Sequence, residues 1–439
     1  VQYEPFLNMA IRGFDLQIMK VLLLNQCFYP DVVSTAQHLT DLAAELAAAN
    51  HEVTVVASSR GYDDPKKRFA KRETWKGVSI RRIACTGFGK RSRWTRALDF
   101  GSFLLSCAFR VALLPKSDLV VAMTSPPLIS FLAALLVRLK GGRFVFWVMD
   151  LNPDEAIAAG WLRKTSAAAK FLDALLSYSL RRAERIIVLD RFVRQRIVDK
   201  GVAADKVLVI PPWSHDDAIH YDERGRLEFR AQHHINEKFV VMYSGNHSPC
   251  HPLDTLLEAA RQLAQNDTII FCFAGGGSEM GKVKSHVSRY TLRNVLCLDY
   301  QPLDRLAGSL SAADLHVVVM GDPFVGIVHP CKIYNILEVG APLLYIGPAV
   351  SHVSDIFSTI ADRRVTFRAS HGDVDGVVRH ILEAASRSVY SSHARAPSSA
   401  AIHFSKSTVL PRMLETLRPV CNASALYDSP VADSKAHSL

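Results

Sequence analysis

At 439 residues the chain is long enough for two or three domains, and 49% apolar content with ordinary Gly and Pro levels excludes fibrous and disordered designs. Eight cysteines form no CxxC and 17 histidines form no HExxH, so the composition fits a reduced cytosol, and no local His/Cys/Asp/Glu spacing suits a structural metal. A formal net charge of +10 points to anionic partners, but nucleic acid is the weakest of them, because there is no zinc-finger spacing, RNP-like aromatic motif or separate basic domain.

Residues 1–18 carry Glu4, Arg12 and Asp15 and lack a signal-peptide core, so they read as a leader outside the folded core. Lys20 to Asn25 is the first convincing strand. The loop CFYPDVV follows, then a helix whose apolar positions Ala36, Leu39, Leu42, Ala43 and Leu46 recur at helical spacing. Ser34 and Gln37 have the pattern of a capping box at its start, and Asn50 suits its end before the strand VTVVAS. From Arg60 to Arg96 basic residues far outnumber Asp63, Asp64 and Glu73, with Phe69, Trp75, Phe88 and Trp94 interleaved. Such a stretch suits anionic lipid headgroups or an acidic substrate, and equally a solvated loop.

The uncharged run from Leu119 to Val137 has the length of a membrane span. Thr124-Ser125-Pro126-Pro127 splits it, however, into a buried strand and a helix closed by Gly141-Gly142. Further strand-like runs at 144–149, 186–189 and 207–210 complete an α/β, doubly wound parallel layout over 19–212. Pro211-Pro212-Trp213 and the polar stretch after it break the rhythm, so 213–238 reads as a linker. Alternation restarts with FVVMYS and gives a second Rossmann-like unit over 239–400, then a C-terminal helix over 401–418 and a disordered tail over 419–439. Paired sheets of this kind bind ligands beyond the carboxyl ends of their strands, in the cleft between them.

Three loops of the second unit converge on that cleft. Ser244-Gly245-Asn246-His247 and Ala274-Gly275-Gly276-Gly277 each follow a strand, where glycine lets backbone approach a ligand. The third runs from Gly326 to Asn335 and includes Lys332 at the start of a short helix ended by Gly340. Free N–H groups and a lysine there suit a nucleotide diphosphate, and a solvated lysine is the plain alternative. From the first unit, Asp150, Asn152 and Asp154 stand just past a strand end. Asp150 can orient a sugar hydroxyl, assist proton transfer or simply cap a turn. No GxSxG, Cys–His pair or P-loop supports a hydrolase or kinase.

The segments NQCFYPDVVSTAQHLTDLAAEL, TSPPL, FVFWVMDLNPDEA, VLVIPPW, MYSGNHSPCHPLDTLLEAA, FAGGGSE, NVLCLDYQPLDRLAGSLSAADLHVVVM and PCKIYNILEVGAPLLYIG resemble, in that order, the bacterial glycosyltransferases of family four. They look most like the branch that builds colanic acid, O-antigen and other exopolysaccharides. The resemblance implies a GT-B fold, with a nucleotide-sugar donor in the second domain and an acceptor held mainly by the first; the positive charge and aromatic anchors of Arg60 to Arg96 make a lipid-linked glycan a sensible acceptor. It further implies retention at the anomeric carbon with no required metal or other cofactor, while the basic stretch suggests peripheral attachment to the inner face of the plasma membrane from the cytoplasm.

Carried onto this chain, Gly245, Gly275, Gly276, Gly326, Lys332, Tyr334 and Asn335 would hold the donor, with Ser34 and Asp150 bordering the reacting sugar. The family has two glutamates eight positions apart before a Gly-x-Pro, and those places hold Ile327 and Asn335, which leaves Glu338 as a substitute catalytic carboxylate. Asn246 stands where the family has Arg, and His251-Pro252 occupies its Lys region, so Lys332 and His251 are the candidates to neutralise the diphosphate. A nucleotide-sugar 2-epimerase and a non-catalytic nucleotide-sugar-binding homologue are the alternatives.

Overall fold

The computed structural model describes residues 18–419 except 63, 65, 89–92, 361, 363, 364 and 389–394. The leader and the tail beyond residue 419 therefore lie outside the described residues. In chain order the first lobe contains β1 (Lys20–Leu24), α1 (Ser34–Ala48), β2 (Glu52–Ser58), β3 (Arg72–Trp75), β4 (Val78–Ile83), α2 (Arg93–Ala112), β5 (Leu119–Ala122) and α3 (Ile129–Lys140). It continues with β6 (Arg143–Val148), α4 (Asp154–Ala158), α5 (Ala167–Arg182), β7 (Arg185–Val188), α6 (Arg191–Asp199) and β8 (Val207–Val209). These strands form one sheet in the order β3-β4-β2-β1-β5-β6-β7-β8, parallel except for the β3–β4 hairpin at one edge.

The second lobe contains α7 (Glu223–Gln232), β9 (Phe239–Ser244), α8 (Asp254–Gln262), β10 (Ile269–Ala274), α9 (Met280–Tyr290), β11 (Val295–Leu298), α10 (Leu303–Ser311) and β12 (Leu315–Val319). After these come α11 (Lys332–Glu338), β13 (Leu343–Ile346), α12 (His352–Thr359), β14 (Thr366–Ala369), α13 (Val374–Ser388) and α14 (Lys406–Leu417). Its sheet is wholly parallel, in the order β11-β10-β9-β12-β13-β14. Near-continuous Val/Ile/Leu runs in β1, β5, β9, β12 and β13 are what parallel strands covered on both faces require. Among the described residues no helix is long and apolar enough to cross a membrane.

Several local expectations are corrected. Ser34 is the first residue of α1, whose N-cap is Val33, so Ser34 makes no capping-box bond and its hydroxyl sits 3.3 Å from His38 Nδ1. The basic stretch holds a hairpin: Val78 and Ile80 alternate with polar residues, and Arg82 is buried against Glu73, Ala70 O and Tyr29 O. Trp75 stacks on Tyr29 at 4.5 Å, while Lys66, Lys67, Arg68, Lys71 and Arg72 remain exposed. The stretch expected to be a linker contains α7, which packs on α10, with Arg226 and Arg230 both paired to the buried carboxylate of Asp314.

The last helix crosses back to the first lobe. Val409, Leu410, Met413 and Leu417 of α14 join the core built from Val21, Leu39, Val121 and Trp147. Arg143 and Arg185 donate to the carbonyls of Leu417 and Thr416 at 2.9 and 2.7 Å, neutralising the free C-terminal end of α14. Trp213, buried in the same core, donates to Asp41 at 2.9 Å.

Candidate functional site

The carboxyl ends of β9 and β10 lie side by side, Ser244 opposite Ala274. The loops leaving them are zipped by backbone bonds, Gly245 N to Ala274 O at 2.9 Å and His247 N to Gly276 O at 2.7 Å. Gly275 has φ +130°, and a Cβ there would stand 2.0 Å from Gly245 O; Gly277 has φ +133° with its Cβ position 2.2 Å from His247 O. Only glycine fits either place, on conformation and on space.

Lys332 heads α11 and reaches back to these loops. Its Nζ lies 3.5 Å from the centre of the Tyr243 ring and 3.2 Å from a Cβ built on Gly245, and it is shielded from solvent with no hydrogen-bond partner. Burial lowers its pKa to about 7, because an ammonium out of water loses its hydration. The π face of Tyr243 offsets part of that loss. A cation held in a gap between glycine loops without a counter-charge is a poised anion-binding group.

Two histidines flank it. His247 is fully buried, its Nδ1–H donating to Gly245 O at 3.0 Å when neutral, with Nε2 unpartnered; burial and then Lys332 hold it at about 4. His251 donates in the same way to Val319 O at 2.7 Å and is held at about 3 by burial and then Lys332. At neutral pH His251 is therefore an uncharged group, and Lys332 is the cation at this place. That revises the share of charge expected of His251.

The first lobe meets this site at Cys331, the residue before Lys332. Burial pushes its thiol up to about 12, with Ser34 bonding to it and the Asp150 carboxylate beside it. Asp150 also faces the thiol of Cys250, which follows the first glycine loop. Leu151 N donates to Ile327 O at 2.9 Å, so the end of β6 is fastened to the loop before α11. Ser34, Asp150, Gly245, Asn246, His251, Gly275, Gly276 and Lys332 are thus grouped along one seam between the lobes.

Other sequence candidates face elsewhere. At Gly326, φ is +71° and a Cβ would meet the Phe192 backbone at 2.8 Å, so this glycine admits the first lobe's α6 rather than lining the Lys332 gap. Tyr334 is buried and its hydroxyl lies 2.6 Å from His329 Nε2. Asn335 Oδ1 accepts from His215 N at 3.3 Å, and Glu338, its pKa raised by burial, accepts from Ser214 Oγ at 2.8 Å. The Asn335 amide and the Glu338 carboxylate thus both hold the connecting segment at Ser214 and His215. Sequence reasoning missed Tyr243 and His247: the first is one more apolar strand residue by pattern, and the second was visible only as part of a loop.

Residues 35–213 match the model of the glycosyl transferase 4-like domain. Over 354 residues, 78% of this chain and 86% of the relative, the chain is 24% identical to the putative colanic acid biosynthesis glycosyl transferase WcaI of Escherichia coli K12. Its fold is that of the sucrose-phosphate synthase from Thermosynechococcus elongatus, with a TM-score of 0.69 at 16% identity over 90% of this chain and 98% of that one. Anabaena Alr3699/HepE, solved in complex with UDP and glucose, superposes with a TM-score of 0.67 at 15% identity over 91% and 99% of the two chains. The first lobe thus matches a glycosyl transferase 4-like domain, and both lobes together have the GT-B fold.

Proposed function

We propose that the protein transfers a sugar, with retention, from a nucleotide diphosphate-sugar to a lipid-linked glycan during cell-surface polysaccharide synthesis. The unpartnered ammonium of Lys332 between the Gly245 and Gly275 loops carries this reading. What that pocket lacks is a negative charge to meet the ammonium, and a pyrophosphate supplies two. The colanic acid relative and the UDP complex of the Anabaena neighbour support the same ligand class.

The chemistry asks little of side chains as acids and bases. The nucleotide diphosphate is a good leaving group, so the protein aligns donor and acceptor, excludes water and stabilises charge growing on the leaving oxygen. The bond from C1 to the acceptor oxygen forms on the face from which the C1–phosphate bond breaks, and the acceptor proton passes to the leaving phosphate. Lys332 takes up the increasing charge, Asp150 and Ser34 border the sugar, and no metal is assigned to the reacting centre.

Attachment to the inner membrane surface belongs to the same proposal. Beside the exposed basic residues 66–72, Leu98, Leu105, Phe109 and Leu113 on and just after α2, with Leu139 on α3, are 59% to 76% exposed, near Arg110, Lys116 and Arg138. An apolar stripe with flanking cations suits anionic lipid. The function is tested by screening nucleotide sugars for thermal stabilisation, then offering the best one, labelled, to membrane extracts. Label should pass to lipid-linked material. Donor conversion with solvent exchange at the sugar's C2 and no transfer would favour an epimerase, and binding without turnover a non-catalytic protein.

A further inference from the structure

We propose that Asp190, His329 and His352 form a divalent-cation site that staples the two lobes together. Asp190 comes from the turn between β7 and α6 of the first lobe, and both histidines come from the second. The inference does not depend on the donor chemistry above. Asp190 is the N-cap of α6: its Oδ1 accepts from Phe192 N and Val193 N at 2.8 and 2.9 Å, which fixes the carboxylate and turns Oδ2 toward the other lobe. Oδ2 lies 2.8 Å from His329 Nδ1 and 3.6 Å from His352 Nδ1.

His352 is the observation that asks for a ligand. It is 2% exposed, and neither ring nitrogen has a hydrogen-bond partner, although its ring stacks on His329 at 4.0 Å. Buried imidazole nitrogens are ordinarily satisfied. Among the described residues, these three are the one trio of such groups whose ligand atoms all lie within 4.8 Å of one another. Around a tetrahedral Zn2+ with bonds near 2.0 Å, neighbouring ligand atoms stand roughly 3.3 Å apart, a spacing that the 2.8 and 3.6 Å contacts straddle. The ligand atoms of the two histidines lie within 4.8 Å of each other, and on binding an ion their stacked rings swing apart while Asp190 stays fixed by its cap bonds.

The surroundings suit such an ion. With Nδ1 as the ligand, His329 Nε2–H donates to the Tyr334 hydroxyl at 2.6 Å, an outer-shell bond that holds the ring in orientation. Two imidazoles and one carboxylate favour Zn2+ or Co2+ over Mg2+ or Ca2+, and three protein ligands leave a fourth position for solvent. Local sequence spacing could not reveal the set, because Asp190 and His329 are 139 residues apart.

The test uses the full chain, stripped with chelator and titrated with Co2+. One equivalent should bind, survive gel filtration and give the intense visible band of four-coordinate cobalt, and Zn2+ should raise the unfolding temperature. His352→Leu should weaken Co2+ binding by more than the about 10- to 100-fold that loss of an outer-shell partner costs, and Tyr334→Phe by roughly tenfold. His286→Ala, away from the cluster, should bind normally. In chelator His352→Leu should unfold at the wild-type temperature, which separates loss of a ligand from loss of the fold. Weak six-coordinate cobalt binding, or binding unchanged by His352→Leu, would overturn the proposal.

Discussion

Lys332 sits in an environment at odds with its charge, its ammonium buried without a partner. Its pKa of about 7 against an ordinary 10.5 means that between those values the unfolded chain holds a proton the folded chain has released. Stability therefore rises with pH across that window, and the penalty is fully present below about 7. Lys332→Met should remove this slope and stabilise the ligand-free protein at pH 6 by roughly 2–4 kcal/mol, read from urea unfolding of both proteins at pH 6 and 9. An unchanged or steeper slope would mean the ammonium is better solvated than its surroundings indicate. The lysine itself was legible in the sequence, as a cation after a Pro at a helix start. Its burial was not, because the shield is Tyr243 from another strand, over a ring centre 3.5 Å away.

At the scale of elements, the loops after β9 and β10 act as one unit. Gly275→Ala would place a Cβ 2.0 Å from Gly245 O at φ +130°, so it should cost at least about 2 kcal/mol and abolish donor binding, as thermal unfolding and calorimetry would show. The three glycines in a row signalled a turn, whereas the contact with Gly245 depends on strand order. The element α14 makes a separate claim. Leu410 is 3% exposed in the first lobe's core, and Leu410→Ala should cost about 2–5 kcal/mol in denaturant unfolding; a cost under 1 kcal/mol would place α14 outside that core. Periodicity indicated a helix there, but nothing local showed which lobe it covers.

Helix α2 was hidden for a related reason. It buries Phe103 and Cys107 while leaving Leu105 and Phe109 exposed on its outward face, and which apolar residues face the core depends on neighbours that the local sequence does not show. If that outward face lies on lipid, Leu105→Asp with Phe109→Asp should reduce co-sedimentation with anionic vesicles at least about tenfold while donor binding persists. Unaltered sedimentation would assign the stripe to something other than lipid.

Across the whole molecule, the two sheets were readable because parallel strands covered on both faces are written as short apolar runs between helices. The charged β3–β4 edge was not, since an edge strand needs no apolar run. How the lobes meet was also beyond reach, because it rests on unlike contacts: Leu151 N to Ile327 O, Arg196 Nε to Val325 O, Asp190 with His329, and Arg191 with Asp355. The last pair is 63% and 43% exposed, so Arg191→Ala should change stability by no more than about 1 kcal/mol, and a larger loss in thermal unfolding would give this pair a share of lobe closure that its solvation does not support.

Whether a nucleotide diphosphate completes the pocket around Lys332 can be read from calorimetric titration at pH 8 in buffers of different ionisation enthalpy. Because Lys332 is largely neutral there, binding should draw a proton onto it, and Lys332→Met should bind at least about 30-fold more weakly without that proton uptake. Equal affinity and equal proton stoichiometry in the two proteins would show that Lys332 does not meet the diphosphate.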